Sequence, residues 1–268
     1  MQEKLTLGLG NAKLSKTIAT FSIPAGHTCP FAKECMSKAN EITGKVIDGK
    51  HCKYRCFAAS EERLFPNVRK ARWRNYRLLT SCKSIAEMGD LIQKSLPKDI
   101  SIVRIHASGD FYSERYFLAW LNVAYNNPKI KFYGYTKGTP FMVKYKKVIP
   151  LNFHLTASKG GTCDSLIPKN KLKFAEVVFS VKEASDKNLE LDHDDGLAIY
   201  GTKSFALLLH GNQPAQTPAA KALQVLKSQG ITGYGKNNIF RKPAMVEKAF
   251  EVFINLNETT KKKVEYVS

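Results

Sequence analysis

The chain has 268 residues, 43% of them hydrophobic, which is enough apolar side chain for one sizeable core. No stretch approaches roughly eighteen consecutive apolar residues, and the start, MQEKLTLGLGNAKLSK, lacks the apolar segment of a signal peptide. No membrane partner is therefore expected, and a cytoplasmic protein is. The formal charge is +19, from 42 basic and 23 acidic side chains, an excess that bears on partners rather than on fold.

In chain order, a first β-run over 17–23 (TIATFSI) meets the break Pro24-Ala25-Gly26 and enters a cysteine-rich loop. Helical periodicity covers 60–80 and 84–94. A second strand over 100–107 (ISIVRIHA) ends at Ser108-Gly109-Asp110, and an amphipathic helix over 113–125 follows with Ser113 as N-cap. The third strand is 130–136, with a short helix after Thr139. The fourth is 152–157, ending in Ser158-Lys159-Gly160-Gly161. The fifth is 175–181 and the sixth is 204–210, ending in Gly211-Asn212-Gln213-Pro214. Helices over 218–229 and 243–256 and a basic tail, Lys261 to Lys263, close the chain.

Strands alternating with helices predict an α/β fold. We read a (βα) barrel or partial barrel of about six parallel strands in a single domain, 1–268, with an open doubly wound sheet as the alternative. Segment 17–82 carries the first strand, the cysteine loop and a basic helix, 100–210 the remaining strands, and 218–256 the C-terminal helices. In such folds function sits at the C-terminal strand ends, so the clusters SGD, YTKG, SKGG and HGNQ should converge on one face beside the cysteine loop.

Six cysteines in a reducing compartment read as metal ligands, catalytic thiols or buried hydrophobes rather than disulfides. Four of them, Cys29, Cys35, Cys52 and Cys56, fall in HTCPFAKEC and HCKYRCFAA, with five, sixteen and three residues between them. That spacing matches no standard zinc pattern cleanly, whereas iron–sulfur loops tolerate varied spacing. A metal centre is expected, an iron–sulfur cluster of four-iron four-sulfur type before zinc. His27 and His51 stand beside cysteines as further ligands or as donors to them. Cys82 reads as helix filler, and Cys163 follows the fourth strand.

His106, His154 and His210 lie within or at the end of predicted strands. His106, Asp110, Lys137 and His210 are the expected catalytic groups, and Ser108, Gly109, Asp110, Lys159, Gly160 and Gly161 the expected cofactor-binding set. Each has a plainer reading, as a core histidine or a helix N-terminal acid. Between Lys50 and Lys83 ten basic residues face only Glu61 and Glu62. In RKARWRNYRLL, Arg69, Arg72, Arg74 and Arg77 stand beside Trp73 and Tyr76, a mixture suited to phosphate contact with base stacking. The plainer reading is a solvated helix face.

The stretches LGLGNAKLSKTIATFSIPAGHTCPFAKEC, RCFAASEE, RIHASGDFYS, FYGYTK and FALLLHGNQPA resemble the gene product 88 domain family of phages and plasmids, from about Leu7 to Gly235. The family pattern of a Thr-Cys-Pro step, a nearby second cysteine and a later cysteine followed by an aromatic residue and Ala falls on Cys29, Cys35 and Cys56, and leaves Cys52 outside. In layout the chain is also remotely similar to radical S-adenosylmethionine enzymes, although twenty residues separate Cys35 from Cys56, unlike their compact loop. That likeness implies three thiolates, an open iron site and S-adenosylmethionine held at Ser108-Gly109-Asp110.

The sequence thus supports an iron–sulfur enzyme acting on a nucleic acid or nucleotide, with radical chemistry as its sharper form. The alternative is a non-enzymatic DNA- or RNA-binding protein with a structural metal. Zinc-dependent base exchange or hydrolysis is the third reading. Nothing in the residues fixes the oligomeric state.

Overall fold

The computed structural model describes residues 3–10, 14 and 17–231. The helix expected over 243–256 and the tail Lys261 to Lys263 lie outside them.

Strand β1 (Leu7–Leu9) pairs antiparallel with β2 (Ile18–Ser22). A hairpin of β3 (Ser37–Ala39) and β4 (Val46–Asp48) stands in a separate sheet within the cysteine-rich segment. The single helix expected over 60–80 is two, α1 (Phe57–Leu64) and α2 (Pro66–Ser81). Pro66 lacks the amide hydrogen that would continue α1, but its fixed φ suits the first turn of α2. Helix α3 (Ile85–Ser95) is capped by Ser84, whose side chain accepts from the Glu87 amide.

From β5 (Ile102–Ser108) onward, strands and helices alternate. Helix α4 (Glu114–Asn126) is capped by Ser113 as expected, and β6 (Lys131–Thr136), α5 (Thr139–Lys144) and β7 (Phe153–Ser158) follow. Then come α6 (Leu166–Lys169), β8 (Phe174–Val178) and α7 (Val181–Asp186). Strand β8 is shorter than the run suggested because Ser180 caps α7 by accepting from Glu183. The described chain ends with β9 (Glu190–Leu191), α8 (Gly196–Ile199), β10 (Phe205–Leu208) and α9 (Pro218–Ser228). No helix among the described residues is long and apolar enough to cross a membrane.

The main sheet runs β1-β2-β5-β6-β7-β8-β10-β9. Its six central strands, β2, β5, β6, β7, β8 and β10, are parallel neighbours in chain order and correspond to the six expected ones. The fold is thus α/β with a mostly parallel sheet. It is not a closed six-strand barrel: β1 and β9 occupy the two edges, and no pairing joins them among the described residues. Parallel order brings all six C-terminal strand ends to one edge of the sheet, the geometric reason the strand-end motifs meet.

One face carries the main core, with Phe21, Ile105, Phe117, Trp120, Phe132 and Phe153 packed together and α3 against α4. Trp120 is fully buried, and its truncation to Ala should cost about 3–5 kcal/mol. The other face carries Ile18, Ile102, Tyr133, Ala175 and Phe205 with Ala198 and Ile199 of α8.

Strand β5 is bulged where it matters most. Thr20 pairs with Arg104 and Ser22 with Ser108, so β5 spends two more residues than β2 over this step. The excess is absorbed at His106, which holds φ +64°, a left-handed conformation that costs a non-glycine residue about 1–3 kcal/mol. The bulge turns Ser108-Gly109-Asp110 toward the loop and His106 into the core, where its ring meets Phe111 and Tyr116 and Nε2 lies 2.9 Å from the Tyr116 hydroxyl.

Burial depresses the pKa of His106 to about 3. Between pH 6.5 and about 3 the unfolded chain therefore binds a proton at this position that the native one refuses. Stability should fall on acidification through that window by about 1.4 kcal/mol per pH unit from this residue. Urea titrations across pH should show His106→Phe losing one proton's worth of slope, and an unchanged slope would refute the assignment.

Candidate metal centre

The chain leaves β2 at Ile23, turns at Pro24-Ala25-Gly26 and does not return to regular helix until Phe57. Such a long excursion must find partners for its backbone groups away from any ladder. The strand-end motifs supply them. After β7, the Gly160 carbonyl accepts from the amides of Lys33 (3.1 Å) and Glu34 (2.9 Å), and the Thr162 amide donates to the Phe31 carbonyl (2.8 Å). Gly160 itself holds φ +92°, and Asp164 accepts from the amides of Gly160 (2.8 Å) and Gly161 (2.9 Å). The SKGG turn is therefore a dock for the cysteine loop, with its amides already occupied.

After β10, the Gln213 side chain pairs with the backbone of Arg55 as a strand neighbour would. The Arg55 amide donates to Oε1 (2.6 Å) and Nε2 donates to the Arg55 carbonyl (3.0 Å). Ser60 Oγ donates to the Asn212 carbonyl (3.2 Å), and the His210 ring packs on Phe57 at 4.6 Å. After β5, Ser108 Oγ donates to the Ile23 carbonyl (2.9 Å). Gly109, at φ +87°, lies so close to this segment that a Cβ would stand 2.4 Å from Ile23 Cγ1 and 2.6 Å from Thr28 Oγ1. The segment after the first parallel strand thus reaches across to the segment after the sixth.

Asp110 is almost wholly buried, and accepts from Thr136 Oγ1 (2.6 Å) and the amides of Lys137 (2.8 Å) and Phe111 (2.7 Å). Burial raises its pKa against these donors. Lys137 Nζ spends its hydrogens on the Ser158 hydroxyl (2.8 Å) and the carbonyls of Ser158 (3.2 Å) and Lys159 (2.6 Å). Lys159 pairs with Glu176 at 2.8 Å. Asp110 and Lys137 hold strand ends together, and His106 is taken from the mouth by the bulge in β5.

The thiols come together here. All six cysteines are free. Burial raises the pKa of Cys29 well above its ordinary value, reinforced by Asp110, Cys56 and Cys35. Burial and Cys35 push Cys56 up to about 12, against the pull of the Ala59 and Ala58 amides at the start of α1 and of Arg72. The phenol of Tyr54 is raised by its own burial and by Cys35, Cys56, Glu34 and Cys52. Cys29, Cys35 and Cys56 are thus electrostatic neighbours around Asp110 and Tyr54.

The pKa of Cys52 is also raised, by burial, Asp48 and Cys35, and its thiol donates to the Tyr54 carbonyl (3.0 Å), with Ser37 Oγ at 3.6 Å. Neither histidine joins the thiols: His27 donates to the Ala39 carbonyl (2.9 Å) and packs on Trp73, and His51 lines an outer cleft. Among the described residues, no group of three or more His, Cys, Asp or Glu side chains is arranged to hold a metal ion.

The arginines expected to meet phosphate divide in two. Arg69 is buried and donates to the carbonyls of Glu41 (2.8 Å), Ile42 (3.2 Å) and Glu62. Arg72, also buried, donates to the Ala58 carbonyl (2.9 Å), Glu62 Oε1 (3.1 Å) and Glu61 Oε2 (2.5 Å). Both belong to the interior because Glu62, fully buried beneath the loop, needs a cation and the turn before α2 needs donors. Arg74 reaches the Lys4 carbonyl (2.6 Å), and Arg77 pairs with Glu41 over the Trp73 ring.

Sequence reasoning missed Glu62, which also accepts from the Ala25 amide at 2.8 Å, and did not single out Gln213 or Tyr54. Gln213 had a signal, since it ends the HGNQ cluster. Glu62 had none beyond its place opposite the arginines.

Gly109→Ala should lower stability and raise the reactivity of Cys29 toward a thiol reagent, because the new Cβ must displace Ile23 or Thr28. Gln213→Ala should free Cys56 in the same assay at a smaller stability cost, about 1–2 kcal/mol for the lost pair. Unchanged labelling rates in both variants would show that these contacts do not hold the thiols.

No curated protein and no solved structure matches the chain. The family model described as Gene product 88 matches residues 1–228, which spans the sheet, the cysteine loop and every strand-end turn that clamps it. The chain belongs to the Gene product 88 family.

Proposed function

We propose that Cys29, Cys35 and Cys56 hold an iron–sulfur cluster at the C-terminal edge of the sheet, and that the protein is an enzyme acting on a nucleic acid or a nucleotide. The supporting observation is that Cys29, Cys35 and Cys56 are free thiols of one loop docked on the strand ends, with Cys35 acting electrostatically on both Cys29 and Cys56, while Cys52 donates to the Tyr54 carbonyl. A cubane binds each thiolate at a different iron, so its ligands stand further apart than those around one zinc ion. An all-thiolate donor set suits such a cluster. The six parallel strands in chain order have the strand order of a partial barrel, in which strand ends carry the chemistry. Three ligands leave one iron open, and S-adenosylmethionine binding there is the sharper form of the reading.

The protein's own contribution is mostly positional. Gln213 fixes the residue before Cys56, the SKGG turn fixes the residues before Cys35, and Gly109 admits the segment that leads to Cys29. Arg72 and the α1 amides favour the thiolate of Cys56, and burial opposes it. A cluster bound there would supply electron transfer or Lewis acidity.

Protein purified without oxygen should be coloured and contain about four iron and four sulfide per chain. Cys29→Ala, Cys35→Ala and Cys56→Ala should each lose most of the iron, and Cys52→Ala should retain it. Colourless protein with stoichiometric zinc would overturn the proposal. S-adenosylmethionine should change the reduced cluster's spectrum, and no change would remove the radical version alone. Because burial holds Cys29 and Cys56 protonated in the metal-free protein, loading should release protons and weaken as pH falls, which a loading titration across pH reads directly.

A further inference from the structure

On the outer side of the cysteine loop lies a cavity of about 400 Å³, lined by Lys33, Met36, Gly49, Lys50, His51 and Thr162. Three chain segments meet there: the loop itself, the turn after β4 and the SKGG turn after β7. Lys33, Lys50 and His51 are exposed, and the acids nearest them in the chain are already engaged. Glu34 pairs with Lys53, Asp48 takes Arg55 through both oxygens (3.0 and 3.1 Å to Nε), and Asp164 takes the amides of Gly160 and Gly161. Among the described residues neither Lys33 nor Lys50 has an ion-pair partner, so the cleft carries positive charge. Its floor is shaped closely, because a Cβ on Gly49 would stand 3.1 Å from Met36 Cγ.

We propose that this cleft, rather than α2, is where the protein binds phosphate: Lys33 and Lys50 supply the charge, with His51 and Thr162 at the rim. An anion on α2 would find Arg69 and Arg72 inside the fold and Arg77 paired with Glu41. A concave site of this volume is in the range that encloses a nucleotide-sized group, whereas an acidic protein surface would need a broader, flatter patch. The inference rests on the reading that the protein acts on a nucleic acid or nucleotide, and it needs no metal. Met36 follows Cys35 directly, so a bound phosphate would lie beside the loop that carries the thiols.

The test is binding of a short single-stranded oligonucleotide, of adenosine diphosphate and of inorganic phosphate across a salt series, with polyglutamate as the acidic-peptide probe. Lys33→Ala/Lys50→Ala is compared with Arg74→Ala/Arg77→Ala. The lysine pair should weaken oligonucleotide binding at least about tenfold at low salt and reduce the slope of log affinity against log salt by about 1.4, two contacts at about 0.7 each for a single strand. The arginine pair should change both less. Adenosine diphosphate displacing the oligonucleotide identifies a single nucleotide as the occupant, and displacement only by longer strands identifies a polymer backbone. No binding of any phosphate probe, an unchanged slope in the lysine variant, or binding of polyglutamate alone overturns the proposal. Both lysines are exposed, and an unchanged melting temperature keeps a loss of binding from being a loss of fold. Iron content is measured separately, so failure here leaves the metal proposal standing, and the reverse also holds.

Discussion

The rest of the site depends on how the excursion from Ile23 to Cys56 satisfies its own backbone. A segment this long, with only one short hairpin inside it, carries many amides and carbonyls that burial would otherwise leave unpaired, each at a cost of about 1–3 kcal/mol. The Gly160 carbonyl, the Phe31 carbonyl and the two ends of the Gln213 amide meet that requirement. All of them stand where parallel strands end, so the excursion is held across the sheet edge instead of being free to swing. The convergence of the thiols follows from this docking, since each cysteine lies within a few residues of a clamped position.

The same economy governs charge. Glu62 sits fully buried on α1 against the Ala25 amide, Ser108 and Arg72, and burial raises its pKa against the amide and the guanidinium that lower it. A buried carboxylate without a cation would be severely destabilising, and Arg72 is the partner placed to prevent it. Arg69 likewise spends its hydrogens on carbonyls around the turn between α1 and α2. Part of a strongly basic stretch is thereby consumed in building the wall behind the cysteine loop. Other cations, among them Lys33, Lys50, Lys70 and Arg74, remain exposed.

The strand-end position of SGD, YTKG, SKGG and HGNQ was legible because β-like runs ending in Gly-containing turns are local features, and parallel order then places them together. Their task was not. Asp110 and Lys137, expected as catalytic groups, also join strand ends, through bonds from Thr136, Phe111 and Lys137 itself, and to Ser158 and Lys159. His106 looked like a strand-end histidine and is turned into the core by a two-residue bulge that no periodicity reveals.

By itself the sequence determined the α/β class, the six parallel strands, the cap at Ser113 and the clustering of glycine-containing turns at the strand ends. These follow from hydrophobic period, side-chain capping and turn chemistry, all of which act along the chain. Only the tertiary structure decided that the sheet keeps two edges, that Arg69 and Arg72 point inward, and that the glycine turns clamp the cysteine loop. Those outcomes turn on which buried backbone and charged groups find partners far away in sequence, and no local pattern carries that information.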